Sequence, residues 1–257
     1  MIDVVTHETD LLAGFTRVER HGKVALVHPD WREPLAAALL DGAGCRPLTT
    51  RSGRGGVLQV DLDGLHAVIR PYRRGGMMRH LLKDSFLFIN RPLHELRVLA
   101  YLHANGLPAP QPLGACWERR GPLIRGAIAT RHVEAQDLVG LLSSSGNVPE
   151  DVLLEVGRLI ASLHACNVRH ADLQAGNILV GDGAVYLIDF DKARLYSRLT
   201  RRQCARNLLR LRRSLQKNGF SERCFPLICE GYGQNPIPRW LDVAYRIKGT
   251  LADWLSV

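Results

Sequence analysis

The chain has 257 residues, with 34 lysines and arginines against 25 aspartates and glutamates, so its formal net charge is +9. Apolar residues make up 46% of the sequence, which is typical of a globular protein and excludes wholesale disorder. No apolar run approaches the roughly 20 residues that span a bilayer, and the acidic N-terminus lacks the pattern of a secretory signal. The length suits one large domain or two small lobes. The positive charge predicts an anionic partner, which is nucleic acid, a membrane surface or a phosphorylated substrate.

The six cysteines are scattered along the chain and form no C-x-x-C pair. The two nearest each other, Cys224 and Cys229, have no matching pair of histidines close by in the sequence. This spacing argues against a structural zinc site. We therefore expect free thiols in a reducing compartment.

The first predicted elements are a helix and a hairpin. The helix is entered at Pro29 or Pro34 and closed by Gly42 and Gly44. Apolar residues then flank an Asp63-Gly64 turn on both sides, which predicts a β-hairpin.

The middle of the chain predicts a helix, an extended segment and a strand. Residues 92–105 carry leucines at helical spacing between a proline and a glycine, so they predict a helix. The proline-rich residues 107–112 are expected to be extended. Residues 123–133 are expected to form a strand.

Helices dominate the predictions for the second half. Residues 151–164 have the pattern of an amphipathic helix. Two short strands are predicted at 178–180 and 185–188 around a glycine-rich turn. A long basic helix is predicted over 196–217, and one more over 240–255.

The sharpest chemical signal is the ordered set His170-x-Asp172-Leu173-x-x-x-Asn177, followed twelve residues later by Asp189-Phe190. Phosphoryl transfer from ATP needs a carboxylate that accepts the proton of the attacking hydroxyl, and Asp172 suits this catalytic role. It also needs oxygen ligands that hold Mg²⁺ against the phosphates, and Asn177 and Asp189 suit this role. Any one of these residues alone would be an ordinary turn residue, but the ordered set between predicted strands indicates a kinase site.

Three upstream features complete the predicted ATP site. The predicted hairpin is preceded by Gly53, Gly55 and Gly56, which would let backbone N–H groups approach phosphates. Arg70 stands where kinases of this type carry a strand lysine, and its guanidinium can hold phosphate oxygens. Glu95, the one acid of the predicted helix 92–105, is its expected carboxylate partner.

The length of the chain after Asp189 indicates which class of phosphate acceptor the protein can bind. Only 68 residues follow Asp189, and the A-P-E motif with which protein kinases grip peptides is absent. The D-F-G motif is replaced by Asp189-Phe190-Asp191. We therefore expect a small molecule or a lipid-linked sugar as acceptor.

These motifs resemble those of the 3-deoxy-D-manno-octulosonic acid (Kdo) kinases, in the lipopolysaccharide-kinase branch of the protein-kinase-like superfamily. The resemblance runs from about residue 53 to 217 in family order. It rests on the stretches GRGG, VIRPYRRGG, LLKDSFLF, HELRVLAYLHANGLPAPQPLGA, VGRLIASLHACNVRHADLQAGNILV, YLIDFDKAR and NLLRLRRSLQK.

The resemblance implies an α+β, bilobal protein-kinase-like fold. An N-terminal lobe over 1–133 would contain an antiparallel sheet and one main helix, and a small, mainly helical lobe would cover 134–257. It implies ATP and Mg²⁺ as cosubstrates and the 4-hydroxyl of a Kdo residue on a lipid A precursor as acceptor. It further implies a peripheral protein on the cytoplasmic face of the inner membrane of a Gram-negative bacterium. Gln174 and Gly176 depart from the family pattern, which leaves the substrate contacts open.

The excess positive charge is local. Residues 192–217 contain ten basic residues and no acid, and without those ten the chain would have 24 basic against 25 acidic residues. Four of the arginines recur every fourth residue and would lie along one helix face. We expect this face to dock an anionic substrate or membrane, since phosphorylated lipid A in an anionic leaflet attracts such charge. The four are Arg198, Arg202, Arg206 and Arg210.

Rival functions remain at this stage. A nucleic-acid-binding protein would use the basic helix but leave the ordered acids and amide unexplained, so no nucleic acid is expected. A pseudokinase is suggested by the arginine at position 70, against which the retained metal ligands argue. Among enzymes, the alternative is a lipopolysaccharide core heptose kinase or an aminoglycoside-type small-molecule phosphotransferase.

Overall fold

The computed structural model describes residues 11–48, 56–72, 90–121, 123–145, 148–181, 183–233, 236–243 and 245. The chain divides into two compact units. The first comprises Met1–Ala104 and Pro110–Val133, and the second comprises Asn105–Ala109 and Glu134–Val257.

Within its described residues, the first unit contains a seven-stranded antiparallel sheet and two α-helices. The strands are β1 Thr16–Arg20, β2 Lys23–Val27, β3 Arg46–Pro47, β4 Leu58–Leu62, β5 Leu65–Pro71, β6 Pro112–Arg120 and β7 Leu123–Arg131. Their order in the sheet is β1-β2-β6-β7-β5-β4-β3. The helices are α1 Arg32–Asp41 and α2 Arg91–Ala104.

The hairpin predicted around Asp63-Gly64 is formed by β4 and β5, and both turn residues have the positive φ that a tight hairpin turn requires. Sequence reasoning missed the hairpin of β1 and β2, and it missed β6, whose first residue is Pro112. The short helix predicted between Pro29 and Gly44 is formed by α1, and its apolar side belongs to the core cluster of the sheet.

The second unit is mainly helical, so the α+β class is confirmed. Its helices are α3 Leu138–Ser145, α4 Glu150–Ala165, α5 Arg201–Lys217 and α6 Ser221–Tyr232, and residues 239–243 are also helical. Its strands are β8 Gln136–Asp137, β9 Val168–Arg169, β10 Ile178–Gly181, β11 Ala184–Leu187 and β12 Arg194–Leu195. They form a three-stranded sheet, β11-β10-β8, and the pair β12-β9.

Helices α4 and α6 pack closely because each carries a glycine at the contact. A Cβ atom at Gly157 would collide with the backbone of α6, and one at Gly231 would collide with the backbone of Leu154. The close approach places the C-terminal end of α6 beside the N-terminal half of α4, and from there the Tyr232 side chain reaches His164.

The basic helix begins later than predicted. Helix α5 starts after Thr200, whose side chain accepts the backbone N–H of Gln203, while Gln203 accepts the backbone N–H of Thr200. This reciprocal capping box fixes the start of the helix. Arg198 therefore precedes α5, and the prediction that it shares a helix face with the three later arginines was wrong. Most of the helix predicted over 240–255 lies outside the described residues.

Within the part of the chain that the structure describes, we find no helix with the length and apolar character needed to cross a membrane.

Candidate active site

The predicted base and the predicted amide ligand lie in one turn of the second unit. Asp172 follows β9, and a 3-10 turn over Ala175–Asn177 leads into β10. The buried Asn177 side chain donates its amide N–H to the carbonyl of Asp172 (2.9 Å). This hydrogen bond sets the orientation of the amide group and ties the two ends of the turn together.

The second predicted metal ligand, Asp189, comes to the same end of a hairpin as Asn177. In the hairpin of β10 and β11, Ile178 pairs with Leu187, and the N–H of Ile188 donates to the carbonyl of Asn177 (3.0 Å). Asp189 is the next residue, and its φ of +69° lies in the left-handed region that non-glycine residues seldom occupy. The backbone thus brings an amide and a carboxylate together at one strand end.

The His170 imidazole links the predicted base, Asp172, to the end of the strand that precedes Asp189, the predicted metal ligand. Its Nε2–H donates to the carbonyl of Ile188 (2.9 Å), and its Nδ1 accepts the backbone N–H of Asp172 (3.2 Å). The ring is fully buried and packs edge-on against Phe190, with ring centroids 4.8 Å apart. Burial lowers the pKa of this imidazole. A neutral histidine satisfied at both nitrogens therefore holds the two segments in fixed relation.

A buried chain of polar side chains supports this turn from three helices, and sequence reasoning missed it. Asn207 of α5 donates to the carbonyl of His170 (2.7 Å), and its side-chain oxygen accepts from Nε2 of His164 on α4 (3.1 Å). Nδ1 of His164 in turn accepts from the hydroxyl of Tyr232 on α6 (2.9 Å). The one available signal was a polar residue, Asn207, among the leucines of the apolar face of α5.

Helix α5 also supplies side chains that contact the turn directly. Arg210, predicted as a docking residue, forms an ion pair with the carboxylate of Asp172. Gln174 donates to the other oxygen of that carboxylate (3.4 Å). The hydroxyl of Ser214 accepts the N–H of Ala175 (3.1 Å). The basic helix therefore helps to support the turn that carries Asp172.

In the first unit, the structure brings the predicted cation and its predicted acid together. Arg70 lies on β5, and its Nη2 is 2.6 Å from both carboxylate oxygens of Glu95 on α2, a residue only 2% exposed. Tyr72 also donates to Glu95, and its ring lies beneath the guanidinium groups of Arg70 and Arg91 (5.3 Å each). Burial and the Glu95 charge raise the pKa of Tyr72. Sequence reasoning missed Tyr72.

Only part of the predicted glycine loop is described. Gly53 and Gly55 lie outside the described residues. Gly56 has a φ of +108°, a backbone conformation that favours glycine.

Four other arginines of residues 192–217 differ in their surroundings. Arg198, Arg202 and Arg206 are exposed, and the guanidinium of Arg202 lies 5.5 Å from the ring centroid of Trp240. Arg212 is instead turned inward, where it pairs with Asp242 (2.5 Å) and lies over Phe225.

The donor set at the end of the hairpin fits Mg²⁺, because an amide oxygen and a carboxylate are the hard ligands that this ion prefers. Among the described residues no cluster of three or more His, Cys, Asp and Glu side chains forms that would hold a metal. An ion held by Asn177 and Asp189 would complete its coordination with phosphate oxygens and water, as is usual for Mg²⁺ in phosphoryl transfer.

The carboxylate, amide and carboxylate of the second unit, and the strand arginine paired with a helix glutamate in the first, are the residue types that protein-kinase-like phosphotransferases use. A solved structure titled "WaaP in complex with acyl carrier protein" has the same fold, with a TM-score of 0.56 at 17% identity. The match covers 87% of this chain and 94% of the chain in that structure.

Sequence comparison is more specific. The model of the lipopolysaccharide kinase (Kdo/WaaP) family matches residues 45–232, so the chain belongs to this family. A 3-deoxy-D-manno-octulosonic acid kinase of Xylella fastidiosa is 36% identical over 203 residues, which are 77% of each chain. Proteins of the same name from Xanthomonas campestris and Photobacterium profundum are 39% and 34% identical. The matches cover 68% and 70% of this chain and 72% and 80% of theirs. The resemblance of the motifs is thereby confirmed, and the chain is a kinase-family phosphotransferase that uses ATP.

Proposed function

We propose that this protein transfers the γ-phosphate of ATP to the 4-hydroxyl of a Kdo residue on a lipid A precursor, a step of lipopolysaccharide core biosynthesis. The observation that carries the proposal is the hydrogen-bonded turn in which His170 fixes Asp172 relative to the strand end before Asp189. The named relatives supply the acceptor, because all three are Kdo kinases. They favour Kdo over heptose or an aminoglycoside as the acceptor.

In the proposed reaction, the carboxylate of Asp172 accepts the proton of the acceptor hydroxyl as its oxygen attacks the γ-phosphorus. The new O–P bond forms while the bond to the β-phosphate oxygen breaks, and ADP leaves with that oxygen. Asn177 and Asp189 would hold Mg²⁺, which neutralises phosphate charge when bound. Arg70, held by Glu95, would contribute positive charge for phosphate oxygens, and the loop of Gly53, Gly55 and Gly56 would contribute backbone N–H groups.

We also propose that the protein works as a peripheral protein on the cytoplasmic face of the inner membrane, with no nucleic acid as partner. The docking surface consists of Arg198, Arg202 and Arg206, together with Trp240 and Val243. Trp240 and Val243 are 57% and 55% exposed. Basic side chains near an anionic leaflet contribute about 1 kcal/mol each, and tryptophan favours the membrane interface.

The proposal is tested by incubating the protein with Mg-ATP and a Kdo-bearing lipid A precursor and analysing the product by mass spectrometry. We expect one added phosphate per acceptor, located on the 4-hydroxyl of Kdo by fragmentation. A parallel incubation with a heptose-bearing acceptor that lacks a free Kdo 4-hydroxyl is expected to give no product. Phosphorylation of the heptose alone would contradict the proposal.

A further inference from the structure

The position of Arg210 is not explained by membrane docking. Its guanidinium reaches from α5 to Oδ1 of Asp172 through a single nitrogen, Nη2. The side chain remains 54% exposed, whereas that of Asp172 is 27% exposed. A guanidinium has five N–H donors in a planar fork. Among the described residues, Arg210 donates to a protein partner only through Nη2. The rest of the fork lies beside the carboxylate at which the acceptor hydroxyl must arrive.

The acceptor of the proposed function brings a second negative charge to this point. Kdo is an octulosonic acid, so the carboxylate on its second carbon and the 4-hydroxyl belong to the same small ring. When the 4-hydroxyl contacts Asp172, the sugar carboxylate is therefore held near a carboxylate of the protein. Two carboxylates at close range repel each other, and a cation between them offsets this electrostatic repulsion.

We infer that Arg210 binds the carboxylate of the acceptor sugar while it remains paired with Asp172, and so selects sugar acids as acceptors. This inference rests on the proposed function. A planar fork suits the task because different N–H groups can serve the two carboxylates at once, which a lysine ammonium does less well.

Two other arginines of the helix are less suited to this contact. Arg212 is paired with Asp242 and packed against Phe225. Arg201 lies nine residues before Arg210, which at 3.6 residues per turn puts it on the opposite side of α5. Arg201 is therefore a matched control for the loss of one exposed arginine from the same helix.

The test compares two soluble Kdo acceptors, one with the free carboxylate and one with that group as its methyl ester, using full-length protein and Mg-ATP. We expect wild type to prefer the acid by roughly tenfold to a hundredfold in kcat/KM, the range of a charge-assisted contact. Arg210→Gln is expected to bring this ratio close to one, Arg210→Lys to give an intermediate ratio, and Arg201→Gln to keep the wild-type ratio.

The ratio separates acceptor binding from any effect of Arg210 on Asp172, because the latter slows both acceptors equally. A wild-type ratio near one, or an Arg210→Gln variant that keeps the wild-type preference for the acid, would overturn the inference while leaving the proposed function standing. If wild type turns over neither the acid nor a lipid-linked Kdo acceptor, the proposed function fails, and this inference fails with it.

Discussion

At the scale of single residues, Asp189 combines an unfavourable backbone conformation with a chemical role. Its φ of +69° is a conformation that costs a non-glycine residue about 1–2 kcal/mol. The hydrogen bond from Ile188 to Asn177 and the contact of Phe190 with His170 hold the neighbouring residues in place. A strained backbone at this position is consistent with a functional requirement for the Asp189 carboxylate.

Two substitutions separate the backbone strain from the carboxylate. Asp189→Gly and Asp189→Ala both remove the proposed metal ligand, and both are expected to abolish phosphate transfer. Only glycine relieves the left-handed backbone, so we expect the glycine variant to exceed the alanine variant by about 1 kcal/mol in free energy of unfolding. Urea denaturation measures this difference, and an alanine variant as stable as the glycine variant would show that the backbone is not strained.

Sequence order was sufficient to propose Asp172, Asn177 and Asp189, because their chemistry depends on short-range spacing across one turn and one hairpin. It was not sufficient for Asn207 or Tyr72. Asn207 contacts a residue 37 positions away, and its role depends on how α5 packs, which no local pattern encodes. The same holds for the contact of Arg210 with Asp172, which spans 38 positions.

At the scale of elements, helices α4, α5 and α6 hold the turn of Asp172 through Tyr232, His164 and Asn207, and His170 lies within that turn. Burial lowers the pKa values of His164 and His170. The unfolded chain therefore binds protons at these residues at a pH where the folded protein does not. The free energy of unfolding should fall as the pH drops below about 6.5, by up to about 1.4 kcal/mol per pH unit for each histidine.

The variant His164→Gln tests the pH effect. It removes one of the two buried histidines, so its free energy of unfolding should fall less between pH 7.5 and pH 5.5 than that of wild type. The same substitution at the exposed His103 is the control and should keep the wild-type pH dependence. Equal pH dependence in the His164 variant and wild type would contradict a neutral His164 in the fold.

The elements themselves were predicted where a local signal exists. The Asp63-Gly64 turn marked β4 and β5, and leucine spacing marked α2 and α4. The hairpin of β1 and β2 turns at His21-Gly22, which is not a strong hairpin signal. The start of α5 was misplaced because its charge pattern continues through Arg198, whereas the capping box at Thr200 decides the boundary.

At the scale of the whole molecule, the net charge of +9 comes from residues 192–217. The basic side chains of this stretch differ in their contacts. Arg210 and Arg212 make ion pairs within the second unit. Three of the remaining exposed arginines, Arg198, Arg202 and Arg206, are the basic residues of the docking surface.

Replacing the three docking arginines together with glutamine tests that contact. We expect the KM for a Kdo acceptor in anionic vesicles to rise at least tenfold, while the KM for a short soluble Kdo acceptor changes less than twofold, since only the vesicle surface attracts these charges. A matched triple variant at the exposed Arg17, Arg119 and Arg125 of the first unit lowers the net charge equally and should leave both values unchanged. Equal rises for both acceptors in the docking variant would rule out membrane docking by this surface.

The central claim is that Asp172 takes the proton of the acceptor hydroxyl in a turn prepared for phosphoryl transfer. Its most direct test is the steady-state rate of ADP formation on a Kdo acceptor by wild type and Asp172→Asn, with ATP affinity measured separately. We predict that kcat falls by about 10²–10⁴-fold, the usual contribution of a general base, while the Kd for Mg-ATP and the thermal midpoint stay near wild type. A variant that keeps the wild-type kcat would contradict the account.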